Sequence, residues 1–286
     1  MKYALILCVL SGARDDGPTL LAAAELAKRE GALLKIIPSL PFSDAVVWAD
    51  AFGANYIAAS TVEELSAAHQ KLRDDMAGLA RRTADNLGLK FGDASGAGIV
   101  MISDRAPAWQ LLTREAALAD LLVIGEATML NDGFLGGAPG EALMTIRSPV
   151  MIVRAAETLE GGVAAIAWDG SLPSGRAVRG ALPLLRAAKS IVILQDPDGM
   201  TAEEKAAGDP ARLVAYLASH GIAGASVQMV AGRREGPAIL AAAQAAGASV
   251  LVAGAFGHSR LGEALLGGAT RAFTSPASGP HLLLAH

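Results

Sequence analysis

Residues 249–270 read SVLVAGAFGHSRLGEALLGGAT, and this stretch carries the features from which the fold can be predicted. Its first six residues form a short apolar run that ends in glycine, which is typical of a buried β-strand. A glycine-rich loop follows, and the residues from Gly267 to Thr270 are expected to open a helix. A strand that leads through such a loop to a helix N-terminus predicts an α/β unit with free backbone N–H groups at its edge.

The same order of features occurs earlier in the chain. Residues 120–125 read DLLVIG, and this run and the later one each follow an Ala-rich segment with a helical pattern. Gly125 and Gly254 are therefore corresponding points of an internal repeat of about 130–155 residues. We divide the chain accordingly into a first domain at 1–157 and a second domain at 158–286.

Apolar runs alternate with amphipathic helical patterns along both halves, in the order strand, helix, strand throughout. Continuously apolar strands that alternate with helices predict a parallel sheet covered on both faces. The fold class is therefore α/β, with two tandem doubly wound, Rossmann-like domains that each hold a five-stranded, mostly parallel sheet. The strands are predicted at 3–10, 33–37, 97–101, 120–125 and 150–153, and at 163–168, 191–194, 225–230, 249–254 and 281–284. The helices are predicted at 17–30, 62–88 and 107–118, and at 174–187, 209–219 and 235–246.

The composition excludes several classes of protein. The 286 residues are 52% hydrophobic and 4% aromatic, which argues against disorder and against a platform for stacking bases. The formal charge is −4, and neither half has the basic excess that nucleic-acid binding usually needs. No apolar run approaches the roughly 20 residues of a membrane helix. We expect a cytoplasmic protein without nucleic-acid or membrane partners.

The N-terminal run has two interpretations. Residues 3–10 follow Lys2 and resemble a very short signal peptide, with Cys8 in a loose lipobox. The residue before Cys8 is Leu7 rather than a small one, and no basic segment of useful length precedes the run, so a buried first strand is the favoured interpretation. The single cysteine cannot form an internal disulfide, which suits a reducing compartment, and we expect it in the core.

In an open α/β sheet, ligands bind beyond the carboxyl ends of the strands, where the strand order reverses. Gly254 and Gly257 would allow a ligand to approach the backbone closely. The segment from Gly267 to Thr270 would offer N–H groups and a hydroxyl to a phosphate. Asp169, directly after a predicted strand, is placed to accept hydrogen bonds from a ribose or a base.

At these residues the sequence resembles the universal stress protein family (UspA), in its tandem two-domain form. Nucleotide-binding members of that family carry the pattern G-x2-G-x9-G-[S/T] after the fourth strand and an aspartate at the end of the first. Gly254, Gly257 and Gly267 match the three glycines, whereas Gly268 stands in place of the hydroxyl residue and Thr270 supplies a hydroxyl two residues later. Residues 169–171, DGS, resemble the aspartate motif.

The resemblance implies that the second domain binds ATP or another adenine nucleotide, with or without Mg²⁺. Asp169 would lie near the adenosine, and the backbone of Leu194 or Gln195 would face the adenine. The implied nucleotide-binding set is Asp169, Gly170, Ser171, Leu194, Gly254, Gly257, His258, Gly267, Gly268, Ala269 and Thr270. It also implies a regulatory or protective role in the stress response, without a catalytic residue and with at most slow ATP hydrolysis.

The first half departs from this pattern. Ser11 stands where the aspartate is expected, and Glu126 follows Gly125 where a polyphosphate would be repelled. Gly136, Gly137 and Gly140 have lost the spacing of the motif. We expect an empty, degenerate copy whose role is to pair with the second half as an intramolecular pseudo-dimer, and homodimerisation remains open.

Other interpretations of the same residues stay open. The glycines can serve turns and helix packing alone, Asp169 can stabilise a helix N-terminus, and His258 can be an ordinary exposed loop residue. The chain would then be a ligand-free scaffold that acts through an unknown protein partner. An enzyme related to adenylating or electron-transfer flavoproteins would need a further segment that is not visible, and a small apolar ligand behind a lid at 39–61 is a further alternative.

The remaining chemistry-bearing residues give no second motif. The histidines show no metal-ligand spacing, so no metal site is expected, and neither a P-loop nor a nucleophile elbow occurs. The charged pattern at 62–88 indicates a solvated helix face, with partner binding there or near Trp48 as the alternative. Trp109 and Trp168 are expected in the core.

Overall fold

The computed structural model of the chain describes residues 2–40, 59–94, 96–104, 106–130, 148–154, 161–198, 200–231, 236–255 and 279–286. The chain forms two compact units, one at Tyr3–Pro139 and the other consisting of Gly140–His286 together with Met1–Lys2. Each unit is described by itself below.

The unit Tyr3–Pro139 contains a parallel sheet with the strand order β3-β4-β2-β1-β5. Helix α1 connects β1 to the central strand β2, and α2 precedes the edge strand β3. The strands are β1 (Leu5–Leu10), β2 (Leu33–Pro38), β3 (Lys90–Phe91), β4 (Gly98–Met101) and β5 (Leu121–Gly125). The helices are α1 (Asp16–Glu30), α2 (Ala59–Leu87), α3 (Ala108–Ala116) and α4 (Glu126–Leu130).

The unit Gly140–His286 has the strand order β6-β11-β10-β7-β8-β9, in which only β6 runs antiparallel to its neighbour among the strand pairs described. The strands are β6 (Val150–Val153), β7 (Val163–Ala167), β8 (Ser190–Gln195), β9 (Ser226–Met229), β10 (Ala248–Gly254) and β11 (His281–Ala285). The helices are α5 (Leu172–Ala187), α6 (Ala202–Ala207), α7 (Pro210–Ser219) and α8 (Gly236–Ala245).

The predicted α/β class with mostly parallel strands is confirmed. The second unit holds six strands rather than the predicted five, because β6 belongs to it. The predicted strands all occur, with boundaries within about two residues, because apolar runs of this length have a clear signature. The short edge strand β3 and the helix α6 were not predicted. Two residues are too few for a periodicity, whereas Thr201 and Glu204 do form a capping box that could have marked the start of α6.

The end of the first sequence repeat packs in the second unit. Strand β6 falls within the predicted first domain, 1–157, yet it pairs antiparallel with β11, the last strand of the second repeat. Beyond β6, the N–H of Arg154 donates to Nδ1 of His281 at 3.0 Å, and its Nη1 donates to the carbonyl of Pro280 at 3.1 Å. The boundary between compact units therefore precedes the end of the sequence repeat.

Both sheets are buried along their central strands, as the continuously apolar runs predict. Cys8 is fully buried in β1, and this burial raises the pKa of its thiol. The expectation that Trp109 lies in the core is wrong: it lies in the short helix α3 and is 42% exposed, because the buried face of that helix is formed by Leu111 and Leu112. None of the helices among the described residues is long and apolar enough to cross a membrane.

Candidate functional site

The strand order of the second unit reverses between β7 and β10. The two strands are parallel neighbours, with Ala167 opposite Ala253, but the chain leaves β7 towards β8 and leaves β10 towards β11 on the opposite side. This is the kind of switch point at which open α/β sheets bind ligands. Asp169 follows β7 and Gly254 ends β10, so the fold brings these two predicted site residues to one edge of the sheet.

Asp169 helps to shape the turn that starts helix α5. Its Oδ1 accepts a hydrogen bond from the N–H of Ser171 at 2.9 Å, and Ser171 in turn caps α5 by accepting from the N–H of Ser174 at 3.3 Å. This bond supports the alternative in which Asp169 acts at the helix N-terminus.

Gly170 lies against the backbone of a neighbouring loop. Its φ is +75°, and a Cβ atom there would lie 2.5 Å from the Cα atom of Gly208 and 2.6 Å from the carbonyl carbon of Ala207. Gln195, at the end of β8, holds the same loop, because its Nε2 donates to the carbonyl of Gly208 at 2.6 Å. The segment after β8 therefore packs directly on the Asp169–Ser171 turn, a contact that the sequence did not indicate.

Gly254 has a packing reason to be glycine. A Cβ atom at this position would lie 2.6 Å from the backbone nitrogen of Ser174 and 2.9 Å from the carbonyl carbon of Pro173, in the first turn of α5. Its counterpart Gly125 faces the equivalent part of helix α1, where a Cβ atom would lie 2.5 Å from Oδ2 of Asp15. The two glycines therefore occupy corresponding places in the two units.

The backbone carbonyls of the two residues that were predicted to face the adenine, at the end of β8, already accept hydrogen bonds within the unit. The side chain of Leu194 is buried, and its carbonyl accepts from the N–H of Trp168 at 2.9 Å. The carbonyl of Gln195 accepts from the N–H of Val230 at 2.8 Å. Each carbonyl keeps a second lone pair. The other predicted site residues lie outside the described residues: Gly257, His258, Gly267, Gly268, Ala269 and Thr270.

The first unit fills the corresponding edge with its own polar groups. The carboxylate of Asp16 accepts from the N–H of Ser11 at 3.2 Å and from that of Gly12 at 2.7 Å, and burial raises the pKa of this carboxyl. Oδ2 of Asp15 accepts from the N–H of Ala127 at 2.7 Å, at the start of α4. The hydroxyls of Ser11 and Thr128 lie 2.7 Å apart. Carboxylates of this unit thus already bind backbone N–H groups at the ends of β1 and β5.

No metal centre is visible in the part of the chain that the structure describes, since no three His, Cys, Asp or Glu side chains there come together in a suitable group. His281 is buried in β11, where its Nδ1 accepts the hydrogen bond from Arg154. Its ring has a structural partner rather than a place in a ligand cluster.

No protein-family model and no curated protein matches the sequence. Solved structures do match over nearly the whole chain. A universal stress protein from Archaeoglobus fulgidus DSM 4304 aligns with a TM-score of 0.64 at 15% identity, covering 98% of this chain and 95% of that one. A putative universal stress protein from Pseudomonas aeruginosa UCBPP-PA14 gives 0.57 at 15% identity, with 99% and 93% coverage.

A third similar structure is a functionally unknown protein from Pseudomonas aeruginosa PAO1. It has a TM-score of 0.54 at 15% identity and covers 99% of this chain and 92% of its own. Identities this low show a shared fold, and two of the three structures carry the name of the family that the residues around Gly254 resemble.

Proposed function

We propose that this chain, which has the fold of universal stress proteins, is a regulatory or protective protein of the stress response that binds an adenine nucleotide in its second repeat. One observation carries the proposal: Gly254, the first residue of the G-x2-G-x9-G pattern, ends β10 beside the Asp169 turn, at the switch point of the sheet. Ligands of open α/β sheets bind at such a point.

The residues have distinct parts in this proposal. The carboxylate of Asp169 would accept hydrogen bonds from the nucleoside, and its bond to Ser171 fixes its position before the ligand arrives. Gly257 and Gly267 would let the backbone approach the ribose and phosphates, and N–H groups near Thr270 would hold phosphate oxygens. ATP is the first candidate, with Mg²⁺ carried on its phosphates, and turnover would be slow at most.

The first repeat would remain empty. Asp15 and Asp16 are both buried beside the carboxyl end of β1, and Glu126 begins the helix that follows β5. A polyphosphate placed there would meet like charges and would find backbone N–H groups already bonded to carboxylates. The proposed role of this repeat is to support the second one within the same chain.

Equilibrium dialysis against labelled ATP, with and without Mg²⁺, tests the proposal. Gly257→Asp places a carboxylate in the second-repeat motif and should abolish ATP retention. Gly136→Asp is the matched control in the first repeat, and it should leave retention at the wild-type level. Equal retention by Gly257→Asp and wild-type protein would disprove a site in the second repeat.

A ligand-free scaffold is the second candidate function. It is favoured by the internal bonds of the Asp169 turn and by the packing of Gly254, because both give these residues roles that need no ligand. The same experiment separates the two candidates. A scaffold would retain no ATP in any variant, and ATP would not raise its melting temperature.

A further inference from the structure

A cavity of about 290 Å³ lies between helices α5 and α7 of the second unit. Its walls are mostly apolar and aromatic, and they come from Trp168, Val178, Leu213 and Tyr216. Ligand pockets in proteins usually start at about 300 Å³, so a small organic molecule is the appropriate size of occupant.

Gly175 explains why space is left between the two helices. It lies inside α5 and lines the cavity, and among the described residues a Cβ atom there would meet only the end of the Arg179 side chain, at 3.6 Å from Nη1. Glycine is unfavourable inside a helix, and nothing at this position forbids a larger residue. Glycine at this position therefore leaves open space that a larger side chain would fill.

Two arginines give the cavity a positive rim. Arg179 on α5 and Arg212 on α7 both line it and are both exposed. Neither forms a salt bridge within the described parts of the chain, and none of the residues that line the cavity is acidic. Nη1 of Arg212 donates to the carbonyl of Ala207 at 2.8 Å, which fixes this side chain and leaves its other N–H donors available.

Trp168 adds a buried polar group to the cavity that it lines. Among the described residues, none accepts a hydrogen bond from its Nε1. Buried indole N–H groups usually find an acceptor, so an unpaired one is a place where a ligand atom would be stabilised. The cavity thus combines apolar walls, two cations and one free donor.

This cavity differs from the site proposed for the nucleotide. Of the residues implied for nucleotide binding that the structure describes, only Gly170 lines it, whereas Asp169, Leu194 and Gly254 do not. Its walls are faces of α5 and α7, while the proposed nucleotide site lies at the carboxyl edge of the strands.

We propose that this cavity binds a small organic anion that has an aromatic or branched apolar body and one carboxylate. The body would pack between Trp168 and Tyr216, and the carboxylate would bind Arg179 and Arg212, for which bidentate contacts are the favoured geometry. The binding is reversible and involves no reaction.

Titration with naphthalene-2-carboxylate, followed by the indole N–H resonances of ¹⁵N-labelled protein, tests this proposal. The Trp168 resonance, assigned with Trp168→Phe, should shift and saturate. The neutral isostere 2-naphthamide should bind at least fivefold more weakly. Arg179→Met and Arg212→Met should each weaken naphthoate binding about 2–5-fold, as expected for exposed charge pairs. Arg176→Met is the matched control on the same helix and should not change it.

Gly175→Leu places a side chain in the cavity and should abolish binding, with circular dichroism and a cooperative melt showing that the variant is folded. If that variant does not fold, Gly175→Ala takes its place and should weaken binding. Equal binding of the acid and the amide, an unshifted Trp168 resonance, or retained naphthoate affinity in the folded Gly175 variant would each overturn the proposal. Loss of ATP retention in Gly257→Asp should leave naphthoate binding unchanged, so the two proposals can fail separately.

Discussion

The contact between Gly170 and the loop at Gly208 makes a sharp prediction for Gly170→Ala. The residue has a φ of +75°, and placing a Cβ in this left-handed region costs about 1–2 kcal/mol. The new atom would also lie 2.5 Å from both the nitrogen and the Cα of Gly208, which are backbone atoms that cannot rotate away. Such overpacking typically adds about 1–3 kcal/mol. We therefore expect a total loss of about 2–5 kcal/mol in the free energy of unfolding.

Gly221→Ala is the control that isolates the steric part. Gly221 has a φ of +76° and lies in the same unit, but no atom of the described residues lies within 4 Å of its Cβ position. The free energy of unfolding of Gly221→Ala should therefore fall only by the cost of the left-handed backbone, about 1–2 kcal/mol.

The assay is urea unfolding, followed by the fluorescence of Trp168 in a Trp48→Phe, Trp109→Phe background. Trp168 is the only tryptophan of the sequence in this unit, so its emission reports on that unit alone. Unfolding midpoints are compared only between variants whose free energy of unfolding changes with urea concentration at the same slope. If Gly170→Ala and Gly221→Ala differ by less than about 0.5 kcal/mol, the backbone contact with Gly208 is not present in solution.

Three further predictions concern the packing and electrostatics of both units. Glu115→Gln should lower the free energy of unfolding at pH 7 by about 0.5–1 kcal/mol, because Nζ of Lys35 lies 2.9 Å from Oε2 of Glu115. That bond lowers the pKa of Glu115 from its usual 4.5, so its contribution is present above pH 4.5 and is lost as the pH falls through the folded pKa. Urea unfolding should show that the free energies of unfolding of Glu115→Gln and wild type differ at pH 7 and become closer at pH 3.5. The exposed Glu64→Gln should have the same free energy of unfolding as wild type at both pH values. Cys8 should react with a thiol reagent only as fast as the protein opens, since it is fully buried, and rapid labelling of the folded protein would contradict its place in the core. Gly175→Ala should raise the free energy of unfolding by about 0.5–1 kcal/mol through helix propensity, and a lower melting temperature would mean that this position is crowded.

The sheets were predictable because their strands are continuously apolar and end at glycine or polar residues. Runs such as 120–125 and 150–153 therefore identified strands almost to the residue. The pairing of β6 with β11 was not predictable, because an apolar run shows that a strand is buried but not which neighbour it has. Trp109 was misplaced for a similar reason: a short helix has one buried face, and residue type alone does not say which positions form it.

At the candidate site, the sequence correctly predicted that Asp169 and Gly254 lie at the same edge of the sheet. Each stands at the carboxyl end of a strand, and these ends lie at one edge because the strands are parallel. The sequence did not show what else would lie there. The loop at Gly208 packs on the Asp169 turn through contacts between residues far apart in the chain, and these leave no local pattern. The cavity between α5 and α7 was missed for the same reason, since Gly175 has no signature until the neighbouring helix is in place.

The packing of Gly254 also changes which residues of the glycine pattern support nucleotide binding. Its Cβ position is blocked by the first turn of α5, and its counterpart Gly125 is blocked by α1 in a unit that lacks the rest of the pattern. A glycine is therefore needed at the end of this strand whether or not a ligand binds. Its position at the switch point still supports the proposal, but glycine as a residue type argues for a nucleotide only at Gly257 and Gly267, which have no counterparts at the same spacing in the first repeat. For this reason Gly257→Asp tests the site, whereas a substitution at Gly254 would disturb the contact between strand and helix first.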